Sequence, residues 1–293
     1  MIAPLVIDAH MHLYRSQQDA ARAKASYQIW EYGRLPGVHF SAYGGDPDDA
    51  RSAMADAGAS HAIVANLLDA PTPGVDPGQD LLAYNHWLCD LAARSPQFIP
   101  YLAIDPARLR VTDLVAHIRE MVLEHGAQGI KLHPPLQRLD VADRGVWRIF
   151  EVCRELDVGI VSHSGPSRSG KQYGEPAAFR PVLAAFPGLR ISLAHLGGGA
   201  WRQTAAIARD LPDVYFDCCE IVEWLGAPQA PSPEDFVKLV REVGVERVMM
   251  GSDFPWYDID HTVGRIFELP GLEEHEKRLI VGENAARFFR VAT

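Results

Sequence analysis

Asp8-Ala9-His10-Met11-His12 follows the apolar run Leu5-Val6-Ile7 near the start of the chain. Successive side chains on a strand point to opposite faces, so His10 and His12 project the same way, one step apart. Two imidazoles on one side of a short rigid strand form half of a metal site. Other chemistry-bearing residues also follow apolar runs directly: Lys131 and His133, then His163, His195 and Asp253. Neutral imidazoles at positions 10, 12 and 163 suit zinc or another divalent transition metal, and Asp253 supplies an anionic oxygen. One such ion per chain is expected, zinc first and manganese second. It would lower the pKa of a bound water from 15.7 towards about 7, and Asp253 could accept the proton. His195 beside it would act as an acid, or as a dipole on a substrate carbonyl.

These positions define the scaffold that must hold them. Apolar runs recur at Leu5–Ala9, Ala62–Asn66, Phe98–Ile104, Gly129–His133, Val158–His163, Arg190–His195, Val214–Asp217 and Arg247–Gly251. Amphipathic helical patterns lie between them, at Asp46–Ala57, Asp80–Ser95, Thr112–His125, Arg144–Leu156, Pro176–Phe186, Trp201–Leu211 and Pro233–Val243. Thr112 and Ser232-Pro233 read as helix starts, and Gly58, Gly126 and Gly244 as helix ends. Eight strands alternating with helices predict one parallel (β/α)8 TIM barrel over residues 1–293. A doubly wound open sheet would need a Gly-rich phosphate turn after the first strand, where this chain has His-Met-His. In a barrel the active site lies at the C-terminal ends of the strands, where every residue named above falls.

Composition sets the outer limits. The chain has 293 residues, 47% hydrophobic and 23% charged, with a mean hydropathy of -0.08, as expected of a soluble globular protein. No apolar run approaches the ~20 residues of a membrane helix, and no basic segment followed by an apolar stretch opens the chain, so a cytoplasmic enzyme is expected. The net charge of -10 argues against a nucleic-acid partner. A small-molecule substrate is the expected partner, with a homo-oligomer compatible. The four cysteines include no CxxC pair, which excludes a disulfide framework and a cysteine-rich zinc site.

Taken in order, the motifs resemble one family. They are Asp8-Ala9-His10-Met11-His12, Gly129-Ile130-Lys131-Leu132-His133-Pro134, Ser162-His163, Leu193-Ala194-His195-Leu196-Gly197-Gly198-Gly199, Gly251-Ser252-Asp253-Phe254-Pro255 and Gly282-Glu283-Asn284-Ala285-Ala286-Arg287-Phe288-Phe289. The set is similar to the amidohydrolase superfamily, and within it to the amidohydrolase-related family that includes aminocarboxymuconate-semialdehyde decarboxylase. The resemblance implies a metal-dependent barrel with His10, His12, His163 and Asp253 on the metal and His195 catalytic. It also implies a choice between hydrolysis of a C–N or C–O bond and non-oxidative decarboxylation of a conjugated or aromatic acid. Lys131 is similar to the lysine of dihydroorotase-like relatives, which is carbamylated and bridges two metals. The decarboxylase relatives lack it, so the main expectation is a hydrolase acting on an amide, lactone or ester that bears a carboxylate.

Other roles stay open at this level. Lys131 either holds a second metal as a carbamate or stays unmodified and binds a substrate carboxylate. His133 contacts substrate or shapes the rim. The long segment 13–45 reads as a lid and holds Tyr14, Arg15, Tyr27, Trp30, Tyr32, Arg34 and His39. Arg34 there and Trp256 after the eighth strand are candidate substrate contacts, as aromatics with arginines suit a planar carboxylate. Arg168 and Lys171 could hold an anion. Gly197-Gly198-Gly199 either lets backbone approach the site or makes a tight turn. A non-catalytic barrel that binds metal or ligand is the reading from another class, and it would not need both His195 and Asp253.

Overall fold

A computed structural model describes residues 4–26, 29–67 and 72–292. Eight parallel strands pair in sequence order. They are β1 Ile7–His12, β2 His61–Ala65, β3 Phe98–Ala103, β4 Gly129–Leu132, β5 Gly159–Ser162, β6 Ile191–Leu193, β7 Tyr215–Asp217 and β8 Val248–Met249. The last strand meets the first through backbone: the Ala9 N–H donates to the Met250 carbonyl at 2.9 Å, and His12 donates to Phe254 at 2.7 Å. A short parallel bridge between Met11 and Phe254 extends that seam. The result is the predicted TIM barrel.

Twelve α-helices surround the strands among the described residues. They are α1 Gln17–Ser26, α2 Pro47–Ala57, α3 Pro77–Arg94, α4 Val111–His125, α5 Pro134–Gln137, α6 Trp147–Glu155, α7 Arg180–Ala185, α8 Thr204–Asp210, α9 Pro233–Val243, α10 Ile259–Glu268, α11 Glu274–Arg278 and α12 Asn284–Phe289. Their ends follow local chemistry. Asp46 accepts from the N–H groups of Asp48 and Asp49 at 3.0 Å each, which satisfies free donors of α2. Ser232 caps α9 through Asp235 in the same way. Gly58 and Gly126 close α2 and α4 in the left-handed conformation. Thr112 is not the cap expected of it, because α4 begins at Val111 with Arg110 at the cap position. The helix expected from Trp201 begins only at Thr204, because residues 195–198 turn through positive φ before it.

Two features of the strands bear on the site. β1 runs to His12, three residues past its expected end, and its pairing with β2 slips between Asp8 and Met11. Asp8 pins that bulge: its carboxylate accepts from the N–H groups of His10 and Ser252 at 3.0 Å each and from the Ser252 hydroxyl. The segment 13–45 is also more ordered than a plain loop, since it carries α1. Its Arg15 is tied to Asp80 at 2.6 Å, and Tyr32 stacks on Trp224. Tyr27 lies outside the described residues. No helix of the described residues is long and apolar enough to cross a membrane.

Candidate active site

A cavity of about 580 Å³ opens at the C-terminal ends of the strands. His10, His12, Lys131, His133, His163, His195, Asp253 and Trp256 all line it. Strand-end placement therefore brings eight of the nine expected site residues together. Arg34 is the exception: it is exposed and does not reach the cavity, so its expected substrate contact is corrected. A loop position fixes neither the direction nor the reach of a side chain.

His10, His12 and Asp253 form one group with a donor atom of each within 4.8 Å of the others, and His10, His195, Asp217 and Cys219 form a second. Asp253 Oδ1 lies 3.0 Å from His12 Nε2 and 3.6 Å from His10 Nε2. The Asp253 main chain is left-handed, with φ 60°, and its N–H donates to the His10 carbonyl at 2.9 Å. Burial pushes the Asp253 carboxyl upward, but the hydrogen bond from His12 and the neighbouring imidazoles outweigh it and hold the group ionised. Burial drives His10, His163, His133 and His195 the other way, so these rings are kept neutral, the form that binds metal. The buried Nδ1 of His12 has no hydrogen-bond partner among the described residues. A carboxylate, two imidazoles and an orphaned ring nitrogen fit a divalent ion.

His163 enters the same cavity but does not join that three-residue group. Its ring stacks on His133 at 3.8 Å and lies 4.7 Å from the His195 ring. His133 also caps α5, accepting from the Leu136 N–H at 3.3 Å. Trp256 meets His12 edge-on at 5.0 Å. Lys131 is fully buried, and its Nζ sits 2.6 Å from His10 Nε2. Burial lowers the Lys131 pKa, while Asp217 and Asp253 oppose that shift.

Asp217 is the residue that the sequence reading passed over. It ends β7 after an apolar run, the same signal that marked the histidines. Its Oδ2 lies 3.2 Å from His10 Nδ1, and its Oδ1 accepts from the His195 and Cys219 N–H groups at 2.9 and 3.2 Å. A ring nitrogen held by a carboxylate fixes the tautomer of the imidazole and puts the lone pair on the other nitrogen, here the one that meets Lys131. His195 is oriented similarly, with Nδ1 3.0 Å from the Cys219 carbonyl. Its main chain, like that of Glu220, is left-handed, with φ 62° and 61°. Such conformations cost roughly 1–3 kcal/mol each and gather at functional sites.

Comparison with known proteins fits this geometry. The sequence profile of the amidohydrolase family matches residues 7–291. The chain belongs to the amidohydrolase family. It is 24% identical over 240 residues to 2-amino-3-carboxymuconate-6-semialdehyde decarboxylase of Dictyostelium discoideum, covering 71% of this chain and 66% of that one. The match thus spans just under two thirds of that relative. A dihydroxybenzoic acid decarboxylase from Polaromonas sp. JS666, solved with manganese and the inhibitor 2-nitroresorcinol, superposes with a TM-score of 0.69. It is 17% identical, over 99% of this chain and 98% of that one. An uncharacterized TIM-barrel protein from Bordetella bronchiseptica gives a TM-score of 0.76 at 18% identity, over 97% and 98% of the two chains. At these identities the structural likenesses establish the barrel.

This amidohydrolase is therefore an enzyme of the superfamily with a buried group able to hold a metal. The expectation of hydrolysis is corrected, because the Dictyostelium and Polaromonas proteins are decarboxylases. That expectation leaned on Lys131, and the same strand-end ligands serve either reaction. A single lysine beside them does not select between water attack and loss of CO2.

Proposed function

We propose that this amidohydrolase is a metal-dependent, non-oxidative decarboxylase of a small aromatic or conjugated carboxylic acid. The observation that carries the proposal is the convergence of His10, His12 and Asp253 in one cavity, in a chain similar to the Dictyostelium and Polaromonas decarboxylases. His10, His12 and Asp253, with His163 alongside, would hold one divalent ion. Manganese has support from the Polaromonas structure, and zinc fits the same ligands. When bound, the ion supplies Lewis acidity that orients and polarises the substrate.

The chain's own groups do the rest. Lys131, unmodified, places a positive charge against the substrate's anionic group. As the bond between the ring and the carboxylate breaks, CO2 leaves and the electron pair stays on the ring carbon. A proton must reach that carbon, and His195, which lines the cavity, is the group that can carry one. Burial of the cavity floor excludes water and strengthens each of these charge interactions. A second reading rests on the 2.6 Å contact between Lys131 and His10. Carbamylation of Lys131 would turn its charge negative and let it face a second ion.

The deciding test is incubation of manganese-loaded and zinc-loaded protein with hydroxybenzoates and conjugated dicarboxylates, following CO2, with lactones and amides run in parallel. CO2 release without hydrolysis is expected. Hydrolysis of a lactone or amide with no CO2 from any acid overturns the proposal. Elemental analysis should give one ion per chain, and two ions with a carbamylated Lys131 would replace the mononuclear version.

A further inference from the structure

Glu31 belongs to the long segment after β1, yet its side chain lies in the cavity with the strand-end residues. It is only 8% exposed. Its carboxylate rests in a cradle of glycines from two other loops. Oε2 accepts from the Gly199 N–H at 2.9 Å. A Cβ added at Gly165 would stand 2.9 Å from that oxygen and 3.0 Å from His163 Nε2, and one added at Gly198 would overlap the carboxylate outright. A Cβ at Gly199 would approach the Glu31 carbonyl to 2.8 Å. The glycine run after β6 thus has a specific use: it lets a lid carboxyl enter a space that any side chain would fill. Burial pushes this carboxyl up to about 7, the Gly199 hydrogen bond opposes the shift, and Asp253 adds to it.

A buried carboxyl with one oxygen held by backbone has acceptor capacity left over, and it repels another carboxylate. The cavity also holds cations: Lys131 among the strand-end residues, and Arg138, Arg168 and Lys171 on the loops after β4 and β5. The substrate's carboxylate belongs with those cations. The ionised Glu31 pairs with a hydrogen-bond donor. We propose that Glu31 determines specificity by accepting a hydrogen bond from a hydroxyl group on the ring of the substrate. This assignment rests on the aromatic-acid reading for its ligand class, and it does not require turnover.

The test is therefore binding. Trp30 and Trp256 line the cavity and report occupancy by fluorescence. Benzoate and the three monohydroxybenzoates would be titrated into manganese-loaded wild-type protein and into Glu31→Gln, in which the amide oxygen can still accept from Gly199. At least one hydroxybenzoate should bind the wild type about ten-fold more tightly than benzoate, the size of one good hydrogen bond. Glu31→Gln should shrink that advantage at least five-fold and leave benzoate affinity within two-fold. If the variant keeps the full hydroxyl preference, or weakens benzoate and hydroxybenzoate equally, Glu31 only anchors the lid and the proposal fails. A wild type with no hydroxyl preference sinks it as well. Binding with the expected pattern but no CO2 release would leave Glu31 assigned and overturn only the decarboxylation.

Discussion

The two ends of the barrel are built by opposite rules. At the N-terminal end, Ile7, Ile63, Ile99, Tyr101, Val161 and Met249 from the strands meet Ala285, Phe288 and Phe289 of α12 in one apolar cluster. Tyr101 lies over Gly129 and Gly159, where any Cβ would strike its ring or hydroxyl. Every group there lowers the free energy of folding by leaving water. At the mouth, His10, His12, Lys131, His163, His195, Asp217, Glu220 and Asp253 are all buried polar groups. Three of them stand on left-handed backbone, at His195, Glu220 and Asp253. Burying charge and twisting backbone both cost stability. The contrast teaches that this fold holds its chemistry against its own preference, and that the floor supplies the surplus.

The largest effect expected from this contrast is on Asp253. Asp253→Asn removes the anionic oxygen shared by His10 and His12 while keeping a residue that tolerates left-handed backbone. Bound metal should fall below about 0.2 equivalents per chain, and CO2 release should drop by roughly 10³-fold. Elemental analysis and CO2 assays on the same samples check both halves. A variant that keeps a full equivalent of metal, or near-normal CO2 release, would remove Asp253 from the chemistry of the mouth.

Phe288→Ala probes the other end. The ring packs against Tyr215 at 4.9 Å and Phe289 at 4.8 Å, and its carbonyl accepts from Arg190 at 2.9 Å. Deleting a buried aromatic side chain costs about 3–5 kcal/mol. Denaturant unfolding should show that loss, while metal content and turnover per folded molecule stay within two-fold at 20 °C. A ten-fold fall in turnover at unchanged metal content would mean that the floor tunes the mouth.

The difference between the ends also explains what the sequence could disclose. Alternating apolar runs and helical patterns specify a barrel because they are local and repeat eight times. His10, His12, His163, His195 and Asp253 were legible because each follows such a run directly. Asp217 obeyed the same rule, but its role appears only when His10 and His195 come within reach of it. Glu31 carried no local signal, since its place depends on a loop returning onto glycines about 135 and 170 residues away. Arg34, three residues further on, carried the same compositional cue as a true cavity residue and faces solvent. The choice of reaction was not legible either, because histidine and carboxylate ligands serve both hydrolysis and decarboxylation.

The smallest predicted effect lies at neither end, and it separates the cost of burying a polar group from the demands of the site. His117 of α4 is 5% exposed on the barrel wall, where its Nε2 lies 3.1 Å from the Asn85 amide nitrogen of α3. Asn85 in turn exchanges hydrogen bonds with the main chain of Ala103 at the end of β3. Only a neutral His117 can accept from Asn85. Burial, with the nearby His86 adding, depresses its pKa to about 4, against about 6.5 in the unfolded chain. A depressed folded-state value contributes stability above pH 6.5 and loses it as pH falls towards 4. Between pH 7 and pH 5 the loss is about 2 kcal/mol. The carboxyl of Asp8, which burial pushes up to about 7, acts in the opposite sense, since its contribution is lost as pH rises through 7. The wild type alone therefore reports a mixture, and the difference between wild type and His117→Gln isolates the wall. Urea titrations at pH 7, 6 and 5 should show the variant losing about 2 kcal/mol less than wild type across that range, with equal metal content at pH 7. Parallel pH profiles for the two proteins would show that the wall histidine is protonated without penalty, and would leave the mouth as the place where buried polar groups control stability.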